Sequence, residues 1–454
     1  MLEYKDFFKG KRVTLMGLGL LGRGVGDAQF LAECGADVTV TDLKTEAQLY
    51  NSIERLKKFT SITFHLGGHS KEDFQDKDLI LMAPSVPLDS IYIAEAKKNN
   101  IPVRMSADLF AEFAQVPIVG ITGTRGKSTV THMIAHILKT AAQKSLPAGR
   151  QVLLGGNVRG VSTLSLLKEV TSDTIAVLEL DSWQLQGFRE ASMSPHVAVF
   201  TTFFPDHMNY YGGDKEKYFA DKANIFLNQT PEDTLILGEQ VTPFVKEYGY
   251  EKKVPSHVVI AGRKNLPKQW KLQIPGEHNR YNAGLAVAAA DALGIDTDTM
   301  CEALESFPGL EGRLEFLGEK DGVKIYNDNN STTPEATIAA LQALGNNKNI
   351  VLIVGGSDKN LELGELVKEI NENCKSLIPL AGSGTDRLLT NLMTSATRLP
   401  FLGPFSSIEQ AVKEALVHTS PGDTVLFSPA FASFGMFTNE YDRNDQFKKA
   451  VENV

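Results

Sequence analysis

A lysine and two neighbouring hydroxyl side chains follow a short glycine-bearing turn in the stretch VPIVGITGTRGKSTVT (116–131). The apolar residues 118–121 predict a buried strand, and a helix is predicted to begin at Lys127. Glycines in such a turn let backbone N–H groups approach phosphate oxygens, and the N-terminus of a helix favours negative charge. Lys127 would meet the outer phosphates, and the Ser128 hydroxyl would bind Mg²⁺. The stretch predicts an ATP site, although Ile121 stands where the strict G-x-x-x-x-G-K-[ST] pattern has its first glycine.

Three further side chains suited to metal and phosphate chemistry follow: Glu179, His207 and Lys222. Glu179 and His207 each come near the end of a predicted buried strand, where ligands gather in parallel α/β sheets. A carboxylate and an imidazole there suit a divalent cation that bridges to phosphate. Taken alone, each is more often a helix-capping acid or a hydrogen-bonded loop histidine. A lone Lys222 on a helix predicted over 215–228 would be an ordinary solvated lysine.

A second glycine-rich turn, GLGLLG (17–22), lies between a predicted strand and a helix that runs to about Glu33. The next predicted strand ends at Asp42, 20 residues beyond Gly22. A G-x-G-x-x-G turn in a βαβ unit, with an acid at the end of the following strand, is typical of nucleotide binding. The glycines would admit a diphosphate, and Asp42 could accept from a ribose or uracil group. The alternative is that these glycines only let the helix and strand pack closely.

Helical and strand patterns alternate along the chain, which predicts an α/β protein built on parallel sheets. Strands are predicted over 12–16, 37–41, 79–83, 118–121, 174–180, 197–202, 234–237, 258–260, 323–326, 349–354 and 424–427. We expect three domains. They are an N-terminal Rossmann-like domain over 1–110, a central P-loop-type ATPase domain over 111–308 and a C-terminal Rossmann-like domain over 309–454.

The chain has 454 residues and a net charge of −9, so it offers no broad basic surface for nucleic acid or an anionic membrane. The sequence contains neither a signal-peptide core nor an apolar run of about 18 residues. Three well-separated cysteines predict buried thiols in a reducing compartment rather than disulfides or a zinc site: Cys34, Cys301 and Cys374. We expect a cytoplasmic, monomeric enzyme that acts on small molecules.

Across its whole length the chain resembles the Mur ligase family, the ATP-dependent enzymes that add amino acids in peptidoglycan synthesis. TGTRGKSTVT resembles the family's T-G-T-N-G-K-[ST] loop, with Arg125 in place of the usual Asn. Further segments match as well: GGN (155–157), ELDSWQL (179–185), DHMNYY (206–211), GEHNRYNAGLA (276–286), GLEGRLE (309–315), YNDNN (326–330), GGSDK (355–359) and SPAFASF (428–434). Lys222 also stands 15 residues after His207, as in the family. The GLGLLG, ELDSWQL and SPAFASF segments are most similar to members that add D-glutamate to UDP-N-acetylmuramoyl-L-alanine.

The resemblance implies roles for the matching residues, with Lys127, Glu179, His207, Lys222 and Arg313 as the catalytic set. ATP would be bound by Gly123, Thr124, Arg125, Gly126, Lys127, Ser128, Thr129, Asn279, Asn282, Arg313 and Asp328. Two Mg²⁺ ions would be held by Ser128 and Glu179 and by His207 and Lys222, with Lys222 carbamylated by CO₂. The UDP-linked substrate would contact Gly19, Leu20, Leu21, Asp42, Lys44 and Asn157. The incoming glutamate would contact Thr332, Lys359, Ser433 and Phe434.

The implied reaction begins with attack of the substrate carboxylate on the γ-phosphate of ATP, which gives an acyl phosphate. The amine of glutamate then attacks the acyl carbon, and phosphate leaves. Several positions depart from the family pattern. Asn330 stands where a phosphate-facing Lys is usual, Gly312 replaces a common His, and Glu440 replaces a Phe. Leu21 and Lys44 replace the usual Thr and Arg of the UDP site.

Three alternatives remain open. The chain could be another ligase of the Mur superfamily with a different amino acid or acceptor, which the pocket of Lys359, Thr332 and Ser433 would decide. It could be an NAD-dependent oxidoreductase, on the N-terminal G-x-G-x-x-G turn alone, but TGTRGKST then has no purpose. It could also be a non-catalytic nucleotide-binding module. The joint presence of four side chains argues against this: Lys127, Glu179, His207 and Lys222.

Overall fold

The computed structural model describes residues 4–84, 86–87, 89–144, 151–394 and 399–454. The fold is α/β with three sheets, as the sequence predicts. The chain forms two compact units, one up to Lys268 together with Asn282–Leu304, and one of Gln269–Tyr281 and Glu305–Val454. No helix within the described ranges is both long and apolar enough to cross a bilayer.

Five parallel strands form the first sheet, in the order β3-β2-β1-β4-β5. They are β1 (Arg12–Met16), β2 (Asp37–Asp42), β3 (Ile62–Leu66), β4 (Leu79–Met82) and β5 (Val103–Arg104). The accompanying helices are α1 (Tyr4–Phe8), α2 (Arg23–Glu33), α3 (Glu46–Glu54), α4 (Ile91–Lys98) and α5 (Ser106–Ala114). The predicted strands β1, β2 and β4 are almost wholly buried, as parallel strands covered by helices on both faces must be.

Six parallel strands form the second sheet, in the order β11-β10-β9-β6-β8-β7. They are β6 (Ile118–Thr122), β7 (Val152–Gly156), β8 (Ile175–Glu179), β9 (Val197–Phe200), β10 (Thr234–Gly238) and β11 (His257–Ala261). The helices that follow them are α6 (Lys127–Lys144), α7 (Ser182–Glu190), α8 (Lys215–Ala223), α9 (Thr242–Glu247), α10 (Glu277–Ala292) and α11 (Thr297–Glu305). The chain leaves β6 to build β7 and β8 on one side of it and β9 to β11 on the other. The carboxyl ends of β6, β8 and β9 therefore meet at a point where α/β sheets bind ligands.

Helix α8 ends at Ala223 and is therefore five residues shorter than the helix predicted over 215–228. Beyond that point the backbone turns more tightly. The N–H of Ile225 bonds to the carbonyl of Lys222 over 3.1 Å, three residues back instead of four. Lys222 therefore lies in the last turn of α8.

The third sheet, in the second unit, has the order β12-β13-β16-β14-β15. Its strands are β12 (Glu315–Lys320), β13 (Val323–Asn327), β14 (Ile350–Val354), β15 (Cys374–Pro379) and β16 (Thr424–Phe427). Its helices are α12 (Pro334–Leu344), α13 (Gly364–Asn373), α14 (Ser383–Thr394), α15 (Ile408–Val417) and α16 (Glu440–Glu452). The expectation of a wholly parallel sheet is wrong at one edge, where β12 pairs antiparallel with β13. Asp321 and Gly322 connect them with φ of 51° and 78°, as a tight hairpin requires.

A buried carboxyl joins helix α2 to the segment that follows β7. Asp27 Oδ1 accepts hydrogen bonds from Ser106 Oγ over 2.9 Å and from Ser162 Oγ over 2.6 Å. Ser106 Oγ in turn accepts from the N–H of Leu164 over 2.8 Å. A Cβ on Gly26 would lie 2.6 Å from Ser162 Cβ, so only glycine lets these segments approach so closely. Burial raises the pKa of Asp27 to about 6, and the two serine bonds oppose that shift.

We expect Asp27→Asn to be more stable than the natural protein above pH 6, and the difference to shrink as the pH falls towards 4. A carboxyl whose pKa is raised by folding binds more protons when folded, so its contribution to stability falls as the pH rises through that window. A shift of about two units corresponds to on the order of 3 kcal/mol. Denaturant unfolding of both proteins at several pH values measures the difference. A difference that does not change with pH would show that Asp27 does not titrate in this window.

Candidate active site

The phosphate loop, residues 123–126, connects β6 to α6 and depends on two glycines with positive φ. Gly123 has φ 145°, and a Cβ on it would lie 2.0 Å from Thr201 Oγ1. Gly126 has φ 85°, and a Cβ on it would lie 2.5 Å from Asn282 Oδ1. Only glycine fits either position without displacing a neighbour. The second contact also shows that Asn282, a predicted adenine contact, lies against the phosphate loop.

The segment after β9 (201–207) holds the phosphate loop in place. The N–H of Arg125 donates to Thr202 Oγ1 over 2.9 Å. The hydroxyls of Thr201 and Thr202 donate to the Arg125 carbonyl over 2.6 and 3.0 Å. Strand β9 ends at Phe200, two residues before its predicted end, and the two threonines that follow bond to the loop.

Two lysines converge on one carbonyl of the phosphate loop. Lys127 Nζ donates to the Gly123 carbonyl over 3.0 Å, and Lys222 Nζ donates to the same carbonyl over 2.9 Å. Lys222 is only 1% exposed and lies over the Tyr218 ring, 4.8 Å from its centroid. Burial, and then the charge of Lys127, lowers the pKa of Lys222 well below its usual value. Burial also lowers the pKa of Lys127, while Glu179 opposes that shift.

The predicted metal ligand at the end of β8 contacts a predicted acceptor-binding residue. Asn157 Nδ2 donates to Glu179 Oε1 over 3.2 Å, and the N–H of Asn157 donates to the Glu179 carbonyl over 2.7 Å. Glu179 is 4% exposed. The side chain of Asn157 thus holds one oxygen of the Glu179 carboxylate.

Asp181 is a charged group of this site that the sequence analysis did not single out. It precedes α7, and its Oδ1 accepts from the N–H of Gln184 over 2.8 Å. Burial raises the pKa of Asp181, and the Gln184 bond and the charges of Lys222 and Lys127 oppose that rise. The signal that could have found it is an acid at a helix N-cap directly after the strand that ends in Glu179.

His207 lies in a left-handed backbone conformation, with φ 55°. Its ring packs against Trp183, with the ring centroids 4.6 Å apart, and faces the edge of Tyr218 at 6.1 Å. Burial lowers the pKa of His207, and the charges of Lys127 and Lys222 add to that effect, while Asp206 opposes it. A lowered pKa favours the neutral imidazole, which is the form that binds metals.

The N-terminal glycine turn is braced by Asp42. Its two carboxylate oxygens accept from the N–H groups of Gly19 and Lys44, each over 2.9 Å. Leu20 and Leu21 of the same turn are exposed, at 49% and 38%. The Asp42 carboxylate therefore holds the backbone of the turn in place. The sequence predicts a ligand contact for the same side chain.

In the second unit, Asp328 is buried among its own neighbours. Its carboxylate accepts from the N–H of Leu314 over 3.1 Å, from Ser428 Oγ over 2.8 Å and from Ser331 Oγ. Burial raises the pKa of Asp328 to about 6, and the serine bonds oppose that rise. Asn330, which replaces the usual lysine, donates its side-chain N–H to the Glu311 carbonyl over 3.1 Å.

Two of the predicted glutamate-binding residues meet in the second unit. Lys359 Nζ donates to Thr332 Oγ1 over 3.3 Å. Ser433 is buried at 4% exposure, whereas the Phe434 ring is 65% exposed. Asn279 also belongs to this unit, where its side chain donates to the Pro275 carbonyl over 2.7 Å.

A buried arginine that the sequence analysis missed ties two of these loops together. Arg443 is 0% exposed and donates to Asn329 Oδ1 and to the Asn329 carbonyl, each over 2.8 Å. It also donates to the Phe431 carbonyl over 3.1 Å. Burial lowers the pKa of Arg443 to about 10, and Glu440 opposes that shift. The guanidinium therefore holds the loop of Thr332 beside the loop of Ser433.

The donor set suits Mg²⁺ that is bound together with phosphate. Within the described ranges, no three His, Cys, Asp or Glu side chains cluster closely enough to hold a metal alone. Mg²⁺ usually takes one or two carboxylates and completes its shell with substrate phosphates and water. Glu179 and Ser128 offer that partial set beside the phosphate loop. Lys222 Nζ donates to the Gly123 carbonyl, and it would offer Mg²⁺ an anionic oxygen ligand only if it carried an added carboxylate.

A phosphate loop at the switch point of a parallel sheet, together with buried lysines and a carboxylate, defines a nucleotide-dependent enzyme of the α/β class. Three family models match the chain in order: Mur ligase MurD-like, N-terminal domain, at 11–105, Mur ligase middle domain at 121–270, and Mur ligase, glutamate ligase domain, at 312–431. The chain belongs to the Mur ligase family.

Its relatives include two enzymes named UDP-N-acetylmuramoylalanine--D-glutamate ligase. The one from Roseiflexus sp. (strain RS-1) is 36% identical, over 98% of this chain and 98% of the relative. The one from Borreliella afzelii (strain PKo) is also 36% identical, over 98% of this chain and 99% of the relative.

Solved structures share the fold at lower identity. UDP-N-acetylmuramate-alanine ligase of Thermotoga maritima matches with a TM-score of 0.63 at 20% identity, over 98% of this chain and 99% of that chain. The MurF ligase of Thermotoga maritima in complex with ADP matches with a TM-score of 0.59 at 17% identity, over 99% and 97% of the two chains. These matches agree with the three-sheet α/β fold.

Proposed function

We propose that this protein is an ATP-dependent ligase that adds D-glutamate to UDP-N-acetylmuramoyl-L-alanine, through an acyl phosphate, in peptidoglycan biosynthesis. The relatives that match over nearly the full length carry that enzyme name. The observation that carries the proposal is the convergence of Lys127 and Lys222 on the phosphate-loop carbonyl, at the switch point where Glu179 also ends its strand. The substrates are small molecules, and we propose a monomer that works in the cytoplasm, where ATP and UDP-linked precursors occur.

We assign one task to each predicted domain. Residues 1–110 would bind the UDP-linked substrate, 111–308 would bind ATP, and 309–454 would bind glutamate. Each of the three sheets and each of the three matching family models falls within one of these ranges. The UDP-linked substrate would meet the backbone of Gly19 and the exposed side chains of the glycine turn, with the amide of Asn157 beyond it.

ATP would lie along the phosphate loop, whose N–H groups and Lys127 offset the charge of the outer phosphates. Asn282 and Asn279 would contact the adenine. Arg313 would contact the γ-phosphate and Asp328 the ribose. Asn282 supports this assignment most directly, because it lies against Gly126.

Two Mg²⁺ ions would be held beside the phosphates, one by Ser128 and Glu179 and one by His207 and carbamylated Lys222. When bound, the ions supply positive charge to the transferring phosphoryl group. Lys222 suits carbamylation because its depressed pKa favours the neutral amine, the form that adds to CO₂ with loss of a proton. Asn157 orients the Glu179 carboxylate by its hydrogen bond, and packing against Trp183 orients His207.

The reaction has two steps. A carboxylate oxygen of the acceptor attacks the γ-phosphorus, and the bond from that phosphorus to the β–γ bridging oxygen breaks, which leaves ADP and an acyl phosphate. The neutral amine of glutamate then attacks the acyl carbon, the tetrahedral intermediate loses the extra amine proton to solvent, and the bond from the acyl carbon to the phosphate oxygen breaks, so that phosphate leaves. Lys127 and Arg313 offset the charge that builds up on the phosphoryl oxygens.

Lys359→Ala is expected to raise the KM for D-glutamate about 10- to 100-fold, with a smaller effect on kcat, because a lysine on a carboxylate contributes mainly to binding. Lys359 Nζ already bonds to Thr332, another predicted glutamate contact. Initial rates across a range of D-glutamate concentrations measure the change. Lys368→Ala on α13 is the matched control, because that lysine is 62% exposed. An unchanged KM would remove Lys359 from the glutamate site.

Phosphate release from ATP, measured with UDP-N-acetylmuramoyl-L-alanine and a panel of D- and L-amino acids, tests the proposed function. D-glutamate is expected to stimulate release, and the ligated product should gain the mass of one glutamate residue. Stimulation by another amino acid alone would make the protein a different ligase of the same superfamily. No stimulation by any of them, with acceptor and Mg²⁺ present, would overturn the proposal.

A further inference from the structure

Arg125 stands in the phosphate loop where the Mur pattern usually has Asn, and its guanidinium contacts the carboxylate of Asp206. Arg125 Nη1 lies 3.0 Å from Asp206 Oδ2, in a geometry that is both a hydrogen bond and an ion pair. The two side chains are 36% and 25% exposed. A half-exposed ion pair contributes little to overall stability. The ion pair is therefore expected to serve the geometry of the site and not the stability of the fold.

The Asp206 carboxylate also holds the backbone of the next residue. Its second oxygen, Oδ1, accepts from the N–H of His207 over 3.0 Å. His207 has φ 55°, a conformation that residues other than glycine adopt uncommonly. Its carbonyl accepts from the N–H groups of Tyr210 and Tyr211 over 2.9 and 3.1 Å. Asp206 is thus one of the restraints that keep the His207 turn in its unusual conformation.

The main chain of Arg125 is fixed at the opposite end of the same segment. Its N–H and carbonyl are bonded to the hydroxyls of Thr201 and Thr202. Residue 125 therefore contacts the segment 201–207 near both of its ends, by its backbone at the start and by its guanidinium at Asp206. Asn, which is shorter than Arg by several atoms, could make the first set of contacts but not the second.

We propose that Arg125 is a positioning residue for His207, which it holds through Asp206, and that its guanidinium is not a phosphate ligand. The inference deepens the proposed function, on which it rests for the role of His207. It follows that the phosphate loop and the histidine turn behave as one unit, so that loss of either charge of the pair misplaces the imidazole. The loop would still bind nucleotide through its backbone and Lys127.

The test compares Arg125→Asn, Asp206→Asn, the double variant and Arg125→Lys. Each single Asn variant is expected to lower kcat about 10- to 30-fold and to leave the KM for ATP within about threefold, because positioning acts on the reaction and not on nucleotide binding. The double variant should be no slower than the slower single variant, since both changes break the same link. Arg125→Lys should recover most of the loss. Lys139→Asn, at an exposed position of α6, is the matched control.

A second readout does not depend on activity. The chain has two tryptophans, so Trp270→Phe leaves Trp183, whose ring packs on His207, as the only tryptophan emitter. In that background, Arg125→Asn and Asp206→Asn should change the emission and acrylamide quenching of Trp183 in the same way, while ADP affinity by calorimetry stays within about threefold. A more than tenfold loss of ADP affinity in Arg125→Asn alone, with Trp183 emission unchanged, would overturn the inference and make Arg125 a phosphate ligand.

The two proposals fail in distinguishable ways. If the natural protein releases no phosphate with any amino acid, the proposed function fails, while the fluorescence and ADP measurements still test the link from Arg125 to His207. If the natural protein is an active ligase and Arg125→Asn matches it in kcat and in Trp183 emission, the positioning role fails alone.

Discussion

Lys222→Ala is expected to lower ligase turnover by about 10³-fold or more, which is roughly 4 kcal/mol of transition-state stabilisation. The side chain is 1% exposed and reaches the same loop carbonyl as Lys127, so its removal leaves an empty space in the buried part of the site. Its removal takes away the group that would become the carbamate, together with a contact of the phosphate loop. Initial rates of phosphate release at saturating substrates measure the effect.

Two controls separate the chemistry of Lys222 from its packing. Lys217→Ala lies on the same helix at 74% side-chain exposure and is expected to keep full activity. Formate or bicarbonate is expected to alter the residual rate of Lys222→Ala, because a small anion can enter the space left by the side chain. ¹³C spectroscopy under labelled CO₂ should show a carbamate signal in the natural protein that the variant lacks. Full activity of Lys222→Ala would rule out the carbamate role.

Glu179→Gln is expected to reduce turnover by a similar factor, about 10²- to 10³-fold, because it removes one charge at the metal and phosphate site. Glutamine keeps the size of the side chain and can still accept the hydrogen bond from Asn157, so the fold around β8 should not change. The Mg²⁺ concentration needed for half-maximal rate should rise, since a neutral amide oxygen is a weaker ligand for a hard cation. Rates as a function of Mg²⁺ concentration measure both effects.

The matched variant for this experiment is Glu169→Gln, at an exposed glutamate of the same unit. It should leave the rate and the Mg²⁺ dependence unchanged. A Glu179→Gln enzyme with the natural Mg²⁺ dependence would remove Glu179 from the metal site, even if its turnover were low.

Most strands of the parallel sheets could be predicted because burial on both faces leaves an uninterrupted apolar run. The runs at Ile118–Thr122, Ile175–Glu179 and Ile350–Val354 are of this kind, and the structure confirms strands there. Strand Ile62–Leu66 gives no such signal, because only Ile62 is buried and the later side chains alternate between exposed and half-buried positions. Strand Val103–Arg104 has two residues, too few for any period to be read.

The antiparallel edge strand Glu315–Lys320 could not be predicted from the sequence for a different reason. It is mostly polar and half-exposed, so its apolar pattern is weak. The Asp321-Gly322 pair after it is a strong hairpin signal, but the alternation of helices and strands in this region predicted a parallel sheet. Local turn chemistry was the better guide at that point.

The site side chains nearest the phosphate loop could be predicted from the sequence, because strand ends and glycine turns place them on one edge of one sheet. The residues that hold these side chains in place could not be predicted, since those contacts join residues far apart in the sequence. Asp206 holds the turn of His207, and the buried Arg443 ties two loops of the second unit through backbone carbonyls.

The shared carbonyl of Gly123 has a consequence for how the enzyme would respond to dissolved gas. Addition of CO₂ to the neutral amine of Lys222 would place an anion beside Lys127, so it would stabilise the charge of that lysine and create a ligand for Mg²⁺. By thermodynamic linkage, Mg²⁺ would then tighten the hold of Lys222 on CO₂ by the same factor by which CO₂ tightens the hold on Mg²⁺. Enzyme diluted into degassed, metal-free buffer would lose activity gradually, and CO₂ and Mg²⁺ together would restore it more fully than either alone.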